Sequence, residues 1–137
     1  MANLFAYGTL MCEDIMEEVS GCRLCSYPGT VRGYCRRSVR EEHFPALAPD
    51  KEGRVEGVVY RDIPASAWSR LDRFEGEMYI RQLVQVEMID GANLPAETYI
   101  VQPKFLCYLE ASEWSFTKFL RNGKKLFQRD YCGYRQL

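Results

Sequence analysis

Between Ile63 and Met88 the hydrophobic period of the chain changes, and no other feature limits the possible folds as strongly. Ile63, Ala67, Trp68, Leu71 and Phe74 recur at steps of three or four, the apolar stripe of an amphipathic helix. Beyond them Ile80, Val84, Val86 and Met88 hold even positions around Gln85 and Glu87, the period of a half-buried strand. Gly76 lies between the two patterns and suits the left-handed residue that often closes a helix. The spacing therefore predicts a helix over Pro64–Glu75 and a strand over Met78–Ile89. Glu75 becomes the last helical residue, and Phe74 anchors it by pointing into the core.

That corner has electrostatic consequences. The last turn of a helix carries unpaired carbonyls, which disfavour a carboxylate by roughly 0.3–1 kcal/mol. Asp72, three residues earlier, adds a like charge, and burial would oppose ionisation further. Arg73 and Arg81 act the other way if either pairs with Glu75. Two readings follow. Glu75 is either a solvated helix-end residue or a carboxyl raised toward neutrality, fit for general acid/base work.

The rest of the composition narrows the function classes. A chain of 137 residues fits a single domain, residues 1–137, able to bury roughly two-thirds of its unfolded surface. With 47% hydrophobic and 13% aromatic residues it has the material for a packed core. The net charge of −1, with signs interspersed, gives no basic field for nucleic acid or an anionic membrane. No apolar run approaches the roughly eighteen residues of a membrane span. Met1–Phe5 lacks the basic start and apolar core of a signal peptide, so a soluble, cytoplasmic protein is expected.

Cys22 and Cys25 have the spacing of zinc or thioredoxin-like sites, but no second such pair follows and His43 is the single histidine. No cofactor or metal is expected, and most of the six cysteines read as small buried hydrophobes. His43 lies in a polar stretch with no carboxylate or nucleophile at a motif spacing. It reads as a surface or locally bonded residue.

In chain order, Asn3–Tyr7 reads as a short buried strand ended by Gly8-Thr9-Leu10. A helix over Met11–Val19 follows, stopped by Gly21. This strand–glycine–helix opening is either a plain turn or one whose backbone N–H groups face an anion. Arg23–Val39 is strand-like and bent at Pro28-Gly29 and Gly33. Glu41–Gly53, charged and with two prolines, reads as a loop. Arg54–Tyr60 is a strand, Asp90-Gly91 a hairpin turn and Glu97–Val101 the returning strand. Trp114–Phe127 reads as two short helical pieces interrupted at Asn122-Gly123, and Tyr131 and Tyr134 either line an opening or cover it. The sum is α+β: a small mixed, mainly antiparallel β-barrel flanked by short helices.

Three segments carry a family resemblance. Phe5-Ala6-Tyr7-Gly8-Thr9-Leu10 is similar to the YGTL signature that opens the γ-glutamylcyclotransferase-like superfamily. Val55-Glu56-Gly57-Val58-Val59-Tyr60 resembles its glycine-bearing second motif strand. Leu71–Gly76 with Tyr79-Ile80-Arg81 resembles its LDxFEG…YxR segment. The motifs stand in the family's order and spacing over residues 3 to about 101. The short step from Glu75 to Tyr79 is most similar to the AIG2-like branch.

The resemblance implies a barrel with a pocket at one mouth. It implies that the backbone of Tyr7, Gly8, Thr9 and Leu10 holds a γ-glutamyl group, with Glu75 as acid/base and Tyr79 and Arg81 as further substrate-binding residues. The implied partner is a small-molecule γ-glutamyl substrate, cyclised to 5-oxoproline with release of an amine. That chemistry asks for one carboxyl and an intramolecular nucleophile, and needs neither metal nor nucleotide. One reading from another class is a thiol or zinc protein centred on Cys22 and Cys25; the other, to be told from the enzyme itself, is a non-catalytic barrel that binds an acidic γ-glutamyl-like metabolite or peptide. A γ-glutamyl panel scored for 5-oxoproline discriminates the two.

Overall fold

Leu4, Phe5, Ala6 and Tyr7 are all buried, because both faces of the first strand are covered. In this computed structural model, which describes residues 2–137, the strand is β1 (Ala2–Ala6). Leu4 and Ala6 pack toward the helices. Phe5 and Tyr7 pack with Val31, Leu47, Val59, Val86 and Ile100, the inward residues of the other strands. A strand buried on both faces reads as a continuous apolar run, and this one does.

The remaining strands are β2 (Ser26–Val39), β3 (Pro45–Ile63), β4 (Tyr79–Met88), β5 (Asn93–Val101) and β6 (Leu109–Glu113). The order β3-β1-β5-β4-β2, with β2 also paired to β3, closes a five-stranded barrel. Only β1 and β5 run parallel, in register at Leu4 and Glu97; the other neighbours are antiparallel. β6 extends the sheet along the far half of β2. This is the barrel expected from the bent, glycine-broken strands.

One expected loop is a strand. The stretch 45–53, read as part of a loop over Glu41–Gly53, is the first half of β3, with Pro45 opposite Ser38 and Pro49 opposite Tyr34. Its charged part, Asp50–Glu52, is exposed, so polarity there marks a solvated ladder and not a lack of pairing. A register shift between Arg32 and Tyr34, at Gly33 with φ 90, bends the hairpin.

Among the described residues the α-helical segments that flank the barrel are α1 (Glu13–Ser20), α2 (Ala65–Glu75), α3 (Phe116–Lys118) and α4 (Lys124–Asp130). A 3₁₀ turn over Thr9–Met11 precedes α1. Asn122-Gly123 does not interrupt the tail. Phe119–Gly123 forms a widened π turn joining α3 to α4, and Phe119 and Phe127 stay buried with rings 5.8 Å apart. Among the described residues no helix is long and apolar enough to cross a membrane.

α2 ends at Glu75 as its stripe predicts, with Ala67, Trp68, Leu71 and Phe74 buried. Gly76 closes it at φ 81, ψ −171. This is not the left-handed helical conformation but an extended region that essentially only glycine enters, so the requirement for glycine is stricter than expected. Gly76→Ala should therefore lower unfolding stability by about 1–3 kcal/mol. Chemical denaturation of the two proteins checks it; equal midpoints would show that the chain leaves α2 another way.

Candidate functional site

The sharp exit at Gly76 turns the chain directly from α2 into β4, and it brings Glu75 and Tyr79 to one cavity. That cavity has Tyr7, Gly8, Thr9 and Leu10 on its wall. Six of the seven residues singled out from the sequence thus meet in one place. The seventh, Arg81, does not line it. Its guanidinium lies 4.6 Å over the Trp68 ring and its Nε 3.7 Å from Asp72 Oδ1.

Glu75 is half-buried as a residue, but its carboxyl is deeply enclosed by protein. Desolvation, and then the nearby Asp72 charge, raise its pKa to about 8. Neither arginine offsets this. Arg73 donates its Nε to the Gln136 carbonyl at 3.1 Å, and Arg81 pairs with Asp72 instead. The open sign of the sequence reading is thereby decided. Burial and the Asp72 charge act in the same direction, and neither arginine opposes them.

Asp72 is itself held from two sides, since Tyr99 donates its hydroxyl to Asp72 Oδ1 at 2.7 Å while Arg81 approaches the same oxygen. The tyrosines around the cavity are fastened to backbone. Tyr7 donates to the Tyr99 carbonyl at 2.6 Å and Tyr79 to the Pro45 carbonyl at 2.7 Å. Burial drives the pKa of both phenols far above their ordinary value, and the Glu75 charge adds to it.

The C-terminal segment completes the wall. Tyr131 donates to the carbonyls of Phe74 and Glu75 at 2.7 and 3.2 Å, satisfying acceptors that a helix end leaves open. Its ring packs 4.9 Å from Phe74, and Tyr134 packs 5.1 Å from the same ring. Aromatic pairs of this kind contribute about 0.5–1.5 kcal/mol each beyond burial, so Phe74 anchors Glu75 through the tail as well as the core. Of the two tyrosines left open from the sequence, Tyr131 lines the cavity and Tyr134 lies behind it.

Phe44, Pro45, Tyr99 and Phe127 also line the cavity, and sequence reasoning did not place them there. For Pro45 the missed signal was the strand hidden in a charged stretch. For Tyr99 the sequence marks a returning strand but not which neighbours its side chain meets. His43 is absent from the cavity wall; its carbonyl accepts from Trp114 Nε1 at 2.9 Å. Of the cysteines only Cys12 is buried, while Cys25, Cys107 and Cys132 are exposed, so the picture of mostly buried thiols is wrong. All three lie outside the barrel strands and the α-helices, Cys25 just before β2 and Cys107 and Cys132 in 3₁₀ turns, where no second layer covers them. Among the described residues no three His, Cys, Asp or Glu side chains converge as metal ligands would.

A closed mixed barrel with flanking helices and a pocket at the strand–glycine–helix opening defines the γ-glutamylcyclotransferase-like class of fold. Within that class, the chain belongs to the family described as gamma-glutamyl cyclotransferase, AIG2-like, whose profile matches residues 4–116. It is 30% identical over 102 residues to AIG2-like protein D of Arabidopsis thaliana, spanning 73% of this chain and 67% of that one. Its fold is similar to an Arabidopsis thaliana protein solved in solution, with TM-score 0.69, 24% identity and coverage of 93% and 86% of the two chains. It is also similar to a solved gamma-glutamyl cyclotransferase, with TM-score 0.67, 16% identity and coverage of 80% and 68%.

Proposed function

We propose that the protein cyclises a γ-glutamyl amide or amine to 5-oxoproline and releases the free amine. The observation that carries this reading is the Glu75 carboxyl, raised to about 8 in a cavity it shares with the Tyr7–Leu10 loop. An ammonium is a weak acid, so a carboxyl raised to about 8 is a far better matched acceptor for a substrate's α-ammonium proton than one at its ordinary 4.5.

The steps then balance on one carboxyl. Ionised Glu75 takes a proton from the α-ammonium, and the freed amine attacks its own γ-carbonyl to close a five-membered ring. The bond to the leaving nitrogen breaks as Glu75 returns the proton to it; the second proton of the ring nitrogen then passes through Glu75 to the departing amine, which leaves as an ammonium, and Glu75 ends ionised as it began. The nucleophile is already part of the substrate, so the protein's main contribution is to hold it folded. Backbone N–H groups of Gly8, Thr9 and Leu10, at the start of a helical turn where such groups lack helical partners, can hold the substrate's oxygens. Tyr79 belongs to the binding wall. Arg81 acts at one remove, through Asp72.

The test is a panel of γ-glutamyl dipeptides, glutathione, γ-glutamyl-lysine and simple γ-glutamylamines, scored for 5-oxoproline. Turnover of at least one class is expected. A blank across the panel, with binding retained, would leave a barrel that binds such compounds without turning them over.

A further inference from the structure

Behind the signature loop, outside the cavity, lies a cation that the proposed chemistry does not use. Arg36 comes from β2, and its side chain is only 13% exposed. Its Nη1 donates to the Tyr7 carbonyl at 2.9 Å and to the Glu56 carbonyl at 3.2 Å. Its guanidinium lies 5.5 Å from the centre of the Trp114 ring. The nearest carboxylate, on Glu113, stands 3.6 Å from Nη2 and is itself 74% exposed. Its Nε is buried without any acceptor.

This is an unfavourable place for a charge. Burial pulls the guanidinium pKa down from its ordinary value, ahead of the opposing pull of Glu113. An orphaned donor adds a desolvation cost, and buried ions are often replaced by apolar residues without loss of stability. Packing alone does not account for Arg36.

Its main acceptor does. Among the described residues no peptide bond is cis, so the Tyr7 carbonyl and the Gly8 N–H point in opposite directions from one peptide plane. A guanidinium that holds the carbonyl from behind aims the N–H the other way. Tyr7 and Gly8 line the cavity, and Arg36 does not. Gly8 belongs to no strand or helix, and its N–H has no partner among the hydrogen bonds of the described residues. A hydrogen bond to a charged donor also polarises the peptide and strengthens the N–H as a donor in its turn.

We propose that Arg36 is a positioning residue, which fixes and polarises the Tyr7–Gly8 peptide so that the Gly8 N–H is presented to an oxygen of the bound γ-glutamyl group. The inference rests on the reading of the cavity as a γ-glutamyl site. It assigns the energetic cost of the buried cation to ligand binding.

The experiment compares wild type, Arg36→Met, Arg36→Lys and Arg32→Met. Arg32 lies on the same strand but bonds Glu87 at the surface. Four quantities are read: melting temperature, the Gly8 amide resonance without ligand, the Kd of 5-oxoproline, and KM against kcat on any substrate from the panel. Arg36→Met should melt within a few degrees of wild type or above it. Its Gly8 N–H should move upfield, and KM and Kd should both rise about tenfold or more with kcat less affected. Arg36→Lys should recover part of each change, and Arg32→Met should match wild type throughout.

An unmoved Gly8 resonance, or unchanged KM and Kd in Arg36→Met, would overturn the inference while leaving the cyclotransferase reading intact. Equal losses in Met and Lys variants, tracking melting temperature, would reduce Arg36 to a packing residue. A wild type that neither turns over nor binds any γ-glutamyl compound would remove the reading of the site, and this inference with it.

Discussion

Glu75→Gln should fold as the wild type does and lose about 10²–10⁴ in turnover, the usual worth of a general acid/base. Shape and hydrogen-bonding capacity are kept; proton transfer is not. Binding of 5-oxoproline should largely persist, because the loop opposite is untouched. Glu77→Gln, at an exposed position two residues on, should be nearly silent. Wild-type kcat/KM should rise with pH toward about 8 as Glu75 ionises, and the residual activity of the variant should lack that limb. Equal rates in wild type and Glu75→Gln would end the mechanism.

The same substitution has a stability signature of opposite sign. Glu75 is raised from its ordinary 4.5 to about 8 in the folded protein, so between those values the folded state binds more protons than the unfolded one. Its contribution is complete below about 4.5 and is lost as pH rises through about 8. A glutamine does not ionise and escapes that loss. Glu75→Gln should therefore gain stability relative to wild type as pH is raised from 5 toward 9, read as diverging denaturation midpoints. Parallel midpoints across that range would mean that the carboxyl is solvated.

Gly133→Ala should damage stability more than any other single methyl group near the site. A Cβ there would lie 2.2 Å from the Phe74 carbonyl oxygen and 2.2 Å from the Tyr131 ring. The first obstacle is backbone at the end of α2, which does not rotate aside. Overpacking commonly costs 1–3 kcal/mol, and here relief requires the segment Cys132–Gln136 to lift from α2. Tyr131 would then lose the Phe74 and Glu75 carbonyls, leaving the cavity without one wall. Activity should fall together with stability, and limited proteolysis should open the C-terminus first. A variant with wild-type midpoint and proteolytic pattern would show that the tail does not hold the corner.

The corner itself was legible in the sequence because two periods meet there with a glycine between them. The closed barrel was legible for a related reason: bent strands with glycine breaks have few ways to pair. Pairing that rests on backbone alone was not. Pro45–Gly53 carries prolines and charges, the usual marks of a loop, and yet it forms the ladder that brings Pro45 to the cavity. Arg36 was equally hidden, since its role depends on which carbonyl lies in front of it. The tail that closes over the end of α2 was only half legible, since its aromatic spacing announced packing without naming its partner.

The phenols of Tyr7, Tyr79 and Tyr131 each hand their proton to a main-chain carbonyl. A hydroxyl so committed meets anything else only as an acceptor. From a ligand's side the phenolic wall is therefore one-signed, open to N–H groups and closed to lone pairs. Among the described residues of the lining, donors remain on the backbone, on the Thr9 hydroxyl and, below about pH 8, on Glu75 itself. An ammonium and an oxygen entering together would be sorted by that wall to opposite sides.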